Sequence, residues 1–250
     1  MKNLFSTKNL TLKIADKLIC QQLDLSIQPG EIWGILGANG SGKTSLLHAF
    51  AGLTVIQQGE IYLQEKNLAE LSRKTIARQV GILFQDTSVY FPQTVFEFCV
   101  GGCFPHNNSF AENKNAVLHA LSIMELDHKL SQKVHTLSGG ERRRLAIATL
   151  LTQKPNLYLL DEPTNHLDLR HQVNALNYFS LLTKKEAGIF MSLHDPQLAA
   201  RYCSHVLLLF PDKTYLLGAA KQLLTSDNLS RLYECDLKHI MPTYLNGVFA

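Results

Sequence analysis

The sequence predicts an α/β fold, a mainly parallel β-sheet covered by helices, with an N-terminal antiparallel β layer and a helical insertion. Three observations carry that prediction. The first 36 residues alternate in the two-residue rhythm of strands, short apolar runs then recur between amphipathic stretches, and between Phe91 and Val134 the spacing becomes helical.

Leu10, Leu12 and Ile14 alternate with polar residues, Leu23, Leu25 and Ile27 do so again, and Pro29-Gly30 turns the chain into Ile32 to Leu36. Val80 to Phe84, Leu157 to Leu160, Ile189 to Leu193 and Val206 to Phe210 are the further strands, a rhythm that marks a parallel sheet under helices. Val117, Leu118, Leu121 and Met124 recur at helical spacing, which sets the insertion at roughly residues 88 to 153. No repeat and no long Gly, Ser or Pro linker divides the chain, so residues 1–250 read as a single domain.

Composition narrows the classes. Of 250 residues 46% are hydrophobic and 18% charged, which excludes disordered and fibrous chains. Lys and Arg number 24 against 21 Asp and Glu, a net charge of +3, too slight a basic excess for nucleic acid as main partner. The longest apolar run, Val206 to Phe210, falls far short of the ~20 residues that span a bilayer. Met1 to Leu12 lacks the apolar stretch of a secretory signal, so the chain is expected to stay in the cytoplasm.

Five scattered cysteines then read as free thiols, and the metal-like trio Cys99, Cys103 and His106 has no second ligand pair. Trp33, Met124 and Met191 read as core. Arg142 to Arg144 read as the solvated face of a helix.

The strand Ile32 to Leu36 runs into Gly37-Ala38-Asn39-Gly40-Ser41-Gly42-Lys43-Thr44, and an apolar helix through Leu46, Leu47 and Phe50 follows. That context makes the segment, with Ser45 behind it, a phosphate cradle. Its glycines let backbone N–H groups converge on phosphate oxygens at the positive end of a helix. Lys43 reaches the β and γ phosphates, and the Thr44 hydroxyl holds Mg²⁺.

Leu157 to Leu160 ends in Asp161-Glu162, two acids at the sheet edge where ligands of open α/β folds sit. Asp161 supports Mg²⁺, and Glu162 is placed to polarise an attacking water. His194, at the end of Gly188 to Leu193, reaches the same edge to donate to a γ phosphate. Gln85, after Val80 to Phe84, repeats that geometry with an amide that orients water and senses Mg²⁺.

With Leu137-Ser138-Gly139-Gly140-Glu141 added, the chain resembles the ATP-binding cassette (ABC) ATPase family of P-loop NTPases. Motifs stand in the family's order: phosphate loop 37 to 44, Gln85, signature 137 to 141, acids 161 and 162, Asp168 of the D-loop, and His194. The resemblance implies an ABC ATPase domain that binds ATP and Mg²⁺. Two copies would pair head to tail, each giving Ser138, Gly139, Gly140, Glu141 and Asp168 to its partner's nucleotide. The base-stacking aromatic of the family falls near Ile14, and no Tyr, Phe or Trp lies between Phe5 and Trp33.

Asp168-Leu169-Arg170-His171-Gln172 and the tail around Gly218, Leu224, Thr225, Leu229 and Leu232 resemble the ATPase subunits of importers for ferric siderophores, haem and cobalamin. That resemblance implies a peripheral subunit on the cytoplasmic face of the inner membrane. It would drive integral membrane permease subunits through a groove at the helical insertion beside Gln85 to Tyr90, and a substrate-binding protein would deliver the cargo. Importers of zinc or manganese, exporters of other cargo, and soluble ABC proteins that act on ribosomes share the same motifs.

Overall fold

The structure, a computed structural model, describes residues 3–85 and 92–236. The antiparallel layer forms as the alternation requires. β1 (Phe5–Ile14) pairs with β2 (Lys17–Ile27) in a hairpin from Phe5 opposite Ile27 to Ile14 opposite Lys17, burying Leu10, Leu12, Leu23, Leu25 and Ile27. β3 (Ile32–Gly37) is buried along its whole length and leads into α1 (Lys43–Phe50).

The chain then returns to the first layer with β4 (Gln58–Leu63) and β5 (Lys66–Asn67), giving the order β2-β1-β4-β5. The strand pattern above omits this pair, because the first half of β4 is exposed and only Ile61 and Leu63 are buried. α2 (Arg73–Gln79) and β6 (Val80–Leu83) follow. Within the insertion lie α3 (Val95–Val100), α4 (Phe110–Ile123) and α5 (Gly139–Gln153). Thr94 and Glu97, Ser109 and Glu112, and Ser138 and Glu141 each close a capping box, so all three helices start where local chemistry satisfies their first N–H groups.

β7 (Leu157–Leu160), α6 (Leu169–Thr183), β8 (Gly188–Ser192), α7 (Pro196–Tyr202) and β9 (His205–Leu209) complete the parallel sheet. β10 (Tyr215–Ala219) adds an antiparallel edge, and α8 (Ala220–Leu223) and α9 (Ser226–Tyr233) follow it. The sheet order β10-β9-β3-β8-β7-β6 puts the ends of β3, β6, β7 and β8 side by side. The five strands predicted for the parallel sheet begin and end within one residue of β3, β6, β7, β8 and β9, whereas β1 and β2 start five and six residues before the first alternating leucine. No helix among the described residues is long and apolar enough to cross a membrane.

Two apolar layers fix this edge. α1 is wedged between the sheets, with the Phe50 ring 4.8 Å from Phe5 and 5.1 Å from Phe190, so the helix that starts at the phosphate loop is anchored from both sides. The second layer packs α5 and α6 on the parallel sheet with α4 against α5, and includes Met124 and Met191. Cys20, Cys99, Cys103 and Cys203 are buried, and all five cysteines are free thiols. Burial pushes the Cys20 thiol up to about 11 and Cys99 up to about 12, so both stay protonated. The His106 ring meets the Gln153 carbonyl through Nε2 at 2.7 Å.

Candidate active site

The phosphate loop leaves β3 at Gly37 and enters α1 at Lys43, and its glycines stand where side chains would collide. Gly42 has φ +107°, and a Cβ there would lie 2.4 Å from the Ile19 side chain. On Gly37 a Cβ would lie 2.7 Å from Ser41 Oγ and 2.9 Å from the Leu209 carbonyl. Lys43 is 5% exposed, and its ammonium donates to the carbonyls of Gly37 at 2.8 Å and Ala38 at 3.2 Å. Burial lowers the Lys43 pKa, and attraction to Glu162 and Asp161 opposes that shift. Ser41 Oγ is buried with no hydrogen-bond partner among the described residues. An orphan hydroxyl in a glycine cradle beside a buried cation suits a phosphate oxygen.

The acids follow β7 directly. Thr44 Oγ1 donates to Asp161 Oδ2 at 2.6 Å, and Ser192 Oγ donates to Asp161 Oδ1 at 2.6 Å. The Glu162 backbone N–H donates to that same Ser192 Oγ at 2.7 Å. A hydroxyl and a carboxylate held this close form the hard oxygen donor set that suits Mg²⁺.

Three donors converge on the Glu162 carboxylate. His194 Nε2 reaches Oε1 at 2.5 Å, Gln85 Nε2 reaches Oε2 at 3.1 Å, and the Asn165 amide also donates to Oε2. Glu162 is 8% exposed and its backbone has φ +49°, a left-handed conformation that costs a residue with a Cβ free energy unless its surroundings hold it. The loop, Glu162, Gln85 and His194 border one cleft of about 540 Å³ that Ile14 and Lys17 also line, and Asp161 stands behind it, bonded to Thr44.

The ABC transporter family matches residues 20–165, a span that contains the loop, the signature and both acids. The chain belongs to the ABC transporter family. As an ABC ATPase it binds ATP and hydrolyses it to ADP and phosphate. The ferric enterobactin transport ATP-binding protein FepC of Escherichia coli is 33% identical over 231 residues, 90% of this chain and 85% of that protein. The hemin import ATP-binding protein HmuV of Pseudomonas aeruginosa is 34% identical over 232 residues, 90% of this chain and 91% of that protein. A metal-chelate type ABC transporter solved in an inward-facing conformation superposes with a TM-score of 0.80 at 27% identity, over 93% of this chain and 89% of the solved one. A bacterial ABC transporter cassette whose solved structure is dimeric gives 0.73 at 25% identity, over 81% and 93%.

Not every ABC motif meets in the cleft. Ser138, Gly139, Gly140 and Glu141, at the start of α5, do not line it, and Asp168 caps α6. Ser138 Oγ accepts the Glu141 N–H at 3.2 Å, which leaves its own proton to donate. Glu141 answers with its carboxylate on the Ser138 N–H at 2.9 Å and on Lys129 at 2.6 Å, and the Lys129 contact with this cap holds its carboxyl down at about 2. A Cβ on Gly140 would come within 2.8 Å of the His166 carbonyl, so α5 starts in contact with the turn that follows Glu162. Of Gln85 to Tyr90 only Gln85 falls among the described residues.

The reading of Arg142 to Arg144 as a solvated face is overturned. Arg143 is 1% exposed, because its guanidinium turns inward to backbone carbonyls around the acids. Arg142 donates to the Leu137 carbonyl at 2.6 Å, and Arg144 to those of Met124 at 2.6 Å and Glu125 at 3.0 Å. Lys17 lines the cleft, and Asn165 and Ser192 hydrogen-bond the two acids, three contacts that the motifs do not mark. Ser192 had left a signal, as the one polar residue in the apolar run Ile189 to Leu193.

Proposed function

We propose that this chain is the ATP-hydrolysing subunit of an iron-chelate importer of the siderophore and haem class, working as a head-to-tail pair on the cytoplasmic face of a membrane permease. The reading takes residues 1–250 as one working domain with a helical subdomain about 88–153. One observation carries the pairing: phosphate loop, Glu162 and His194 share a cleft, whereas the Ser138 to Gly140 helix start does not line it. A second copy turned about a two-fold axis would bring its Ser138 hydroxyl and open helix end onto the first copy's γ phosphate. Leu169, 75% exposed beside Asp168, gives that face an apolar contact. The cargo class is supported by relatives that carry enterobactin and haem in their names. Permease docking on the insertion is supported by Phe104 and Phe110, both largely exposed there.

Thr44 and Asp161 would hold Mg²⁺, which when bound offsets the charge of the β and γ phosphates. Lys43 binds the transferring phosphoryl group, and the loop amides orient it for in-line attack. Glu162 accepts a hydrogen bond from the attacking water and draws off its proton. His194 and Gln85 hold that carboxylate at a fixed angle.

Uptake of radiolabelled ferric siderophore and haem in a host strain lacking the gene tests the cargo. The wild-type gene is expected to restore uptake of one of them, and Lys43→Ala is not. If iron-chelate uptake never depended on the gene while zinc or manganese uptake did, the cargo assignment would fall.

Ile14 and Lys17, which line the cleft, predict weak base selection. An aliphatic side chain keeps contact with the base but loses stacking worth about 1 kcal/mol. Turnover of ATP and GTP under matched conditions is expected to differ by less than about tenfold, since ~1 kcal/mol is under one decade. A preference for ATP above about a hundredfold would show another group gripping adenine.

A further inference from the structure

Arg143 is a buried cation that the reaction outlined above leaves without a part. It rises from the second turn of α5, five residues after Ser138, and its guanidinium spends its donors on one wall of the site. Nη1 donates to the Phe84 carbonyl at 2.5 Å, Nη2 to the Glu162 carbonyl at 2.7 Å and also to that of Asp161, and Nε to the Pro163 carbonyl at 3.4 Å. A buried charge is costly unless it is neutralised. Here the Asp161 and Glu162 carboxylates attract it while every direct contact goes to backbone oxygen.

Those oxygens bracket the chemistry. Phe84 immediately precedes Gln85, and the Glu162 carbonyl belongs to the residue held at φ +49°. The Ser192 hydroxyl takes that residue's N–H from the other side, so Glu162 is clamped at both of its peptide groups. We propose that Arg143 is a positioning residue that holds Glu162 and the start of the Gln85 segment in working geometry and ties that geometry to the placement of the signature helix. Movement of α5 carries the fork with it, and the strained turn at Glu162 relaxes unless the fork is in register. A second copy seated on Ser138 and Gly140 therefore acts on the Glu162 of the same chain as well as on its own nucleotide.

This inference rests on reading Glu162 as the residue that orients water, so Glu162→Gln is measured alongside. Arg143→Lys keeps the charge without the fork, and Arg143→Gln keeps polar reach without the charge. Both variants of the full chain are expected to fold by circular dichroism and to bind Mg-ATP with KM within about threefold of wild type. Their kcat is expected to fall about a hundredfold, the scale of a misplaced catalytic group. Arg143→Ala is expected to regain part of its kcat with guanidinium at concentrations far below denaturing, and none with sodium chloride at equal ionic strength. A folded variant with near wild-type kcat, a KM that rises as far as kcat falls, or failure of both substitutions to fold would overturn the inference. Wild-type turnover by Glu162→Gln would instead remove the reading of Glu162 itself.

Discussion

Lys43→Ala is expected to lower ATP turnover by at least about a hundredfold, some 2.7 kcal/mol of transition-state stabilisation. The ammonium is 5% exposed, held by the Gly37 and Ala38 carbonyls, and Lys43 borders the cleft beside the loop glycines. Charge that is preorganised and screened from water acts strongly on a phosphoryl group whose oxygens gain charge as the bond to ADP breaks. The substitution also removes a buried cation from beside Asp161 and Glu162. Phosphate release by the purified variant, with folding checked by thermal unfolding, provides the measurement. Turnover within a few-fold of wild type would contradict the role given to Lys43.

Glu162→Gln is the more informative change because it separates assembly from chemistry. The side chain keeps its shape but has one acceptor oxygen for donors on two sides, His194 on one and Gln85 with Asn165 on the other. That mismatch costs about 1 kcal/mol of stability and leaves the fold intact. Loss of the proton acceptor is expected to cut hydrolysis by about 10²–10⁴-fold. Since ATP persists, the pair it holds together should persist as well. Size-exclusion chromatography with saturating Mg-ATP is expected to show a dimer for this variant and a monomer without nucleotide. A folded variant that stays monomeric with ATP would defeat the shared-site account.

The phosphate loop, both acids, Gln85 and His194 were legible because each stands at the end of an apolar run, where a polar residue has no packing reason to be. The sheet read well for the same cause, since strands buried on both faces carry unbroken apolar runs. β4, β5 and β10 were not legible: β4 is half exposed, β5 has two residues, and β10 is a partly exposed edge. Arg143 shows a deeper limit. Nothing in Arg142-Arg143-Arg144 says which of three adjacent cations turns inward, because the answer lies in carbonyls that come from residues 84 and 161 to 163. Side-chain acceptors leave a mark in a sequence, but backbone acceptors do not.

The distribution of thiols has a practical consequence. Four of them are sealed in apolar layers, while Cys235 is exposed two residues beyond Tyr233, whose hydroxyl donates to the His194 carbonyl at 3.2 Å. A maleimide dye added to the native protein should therefore attach at one address, without engineered cysteines, and report by its emission on the histidine corner as nucleotide comes and goes.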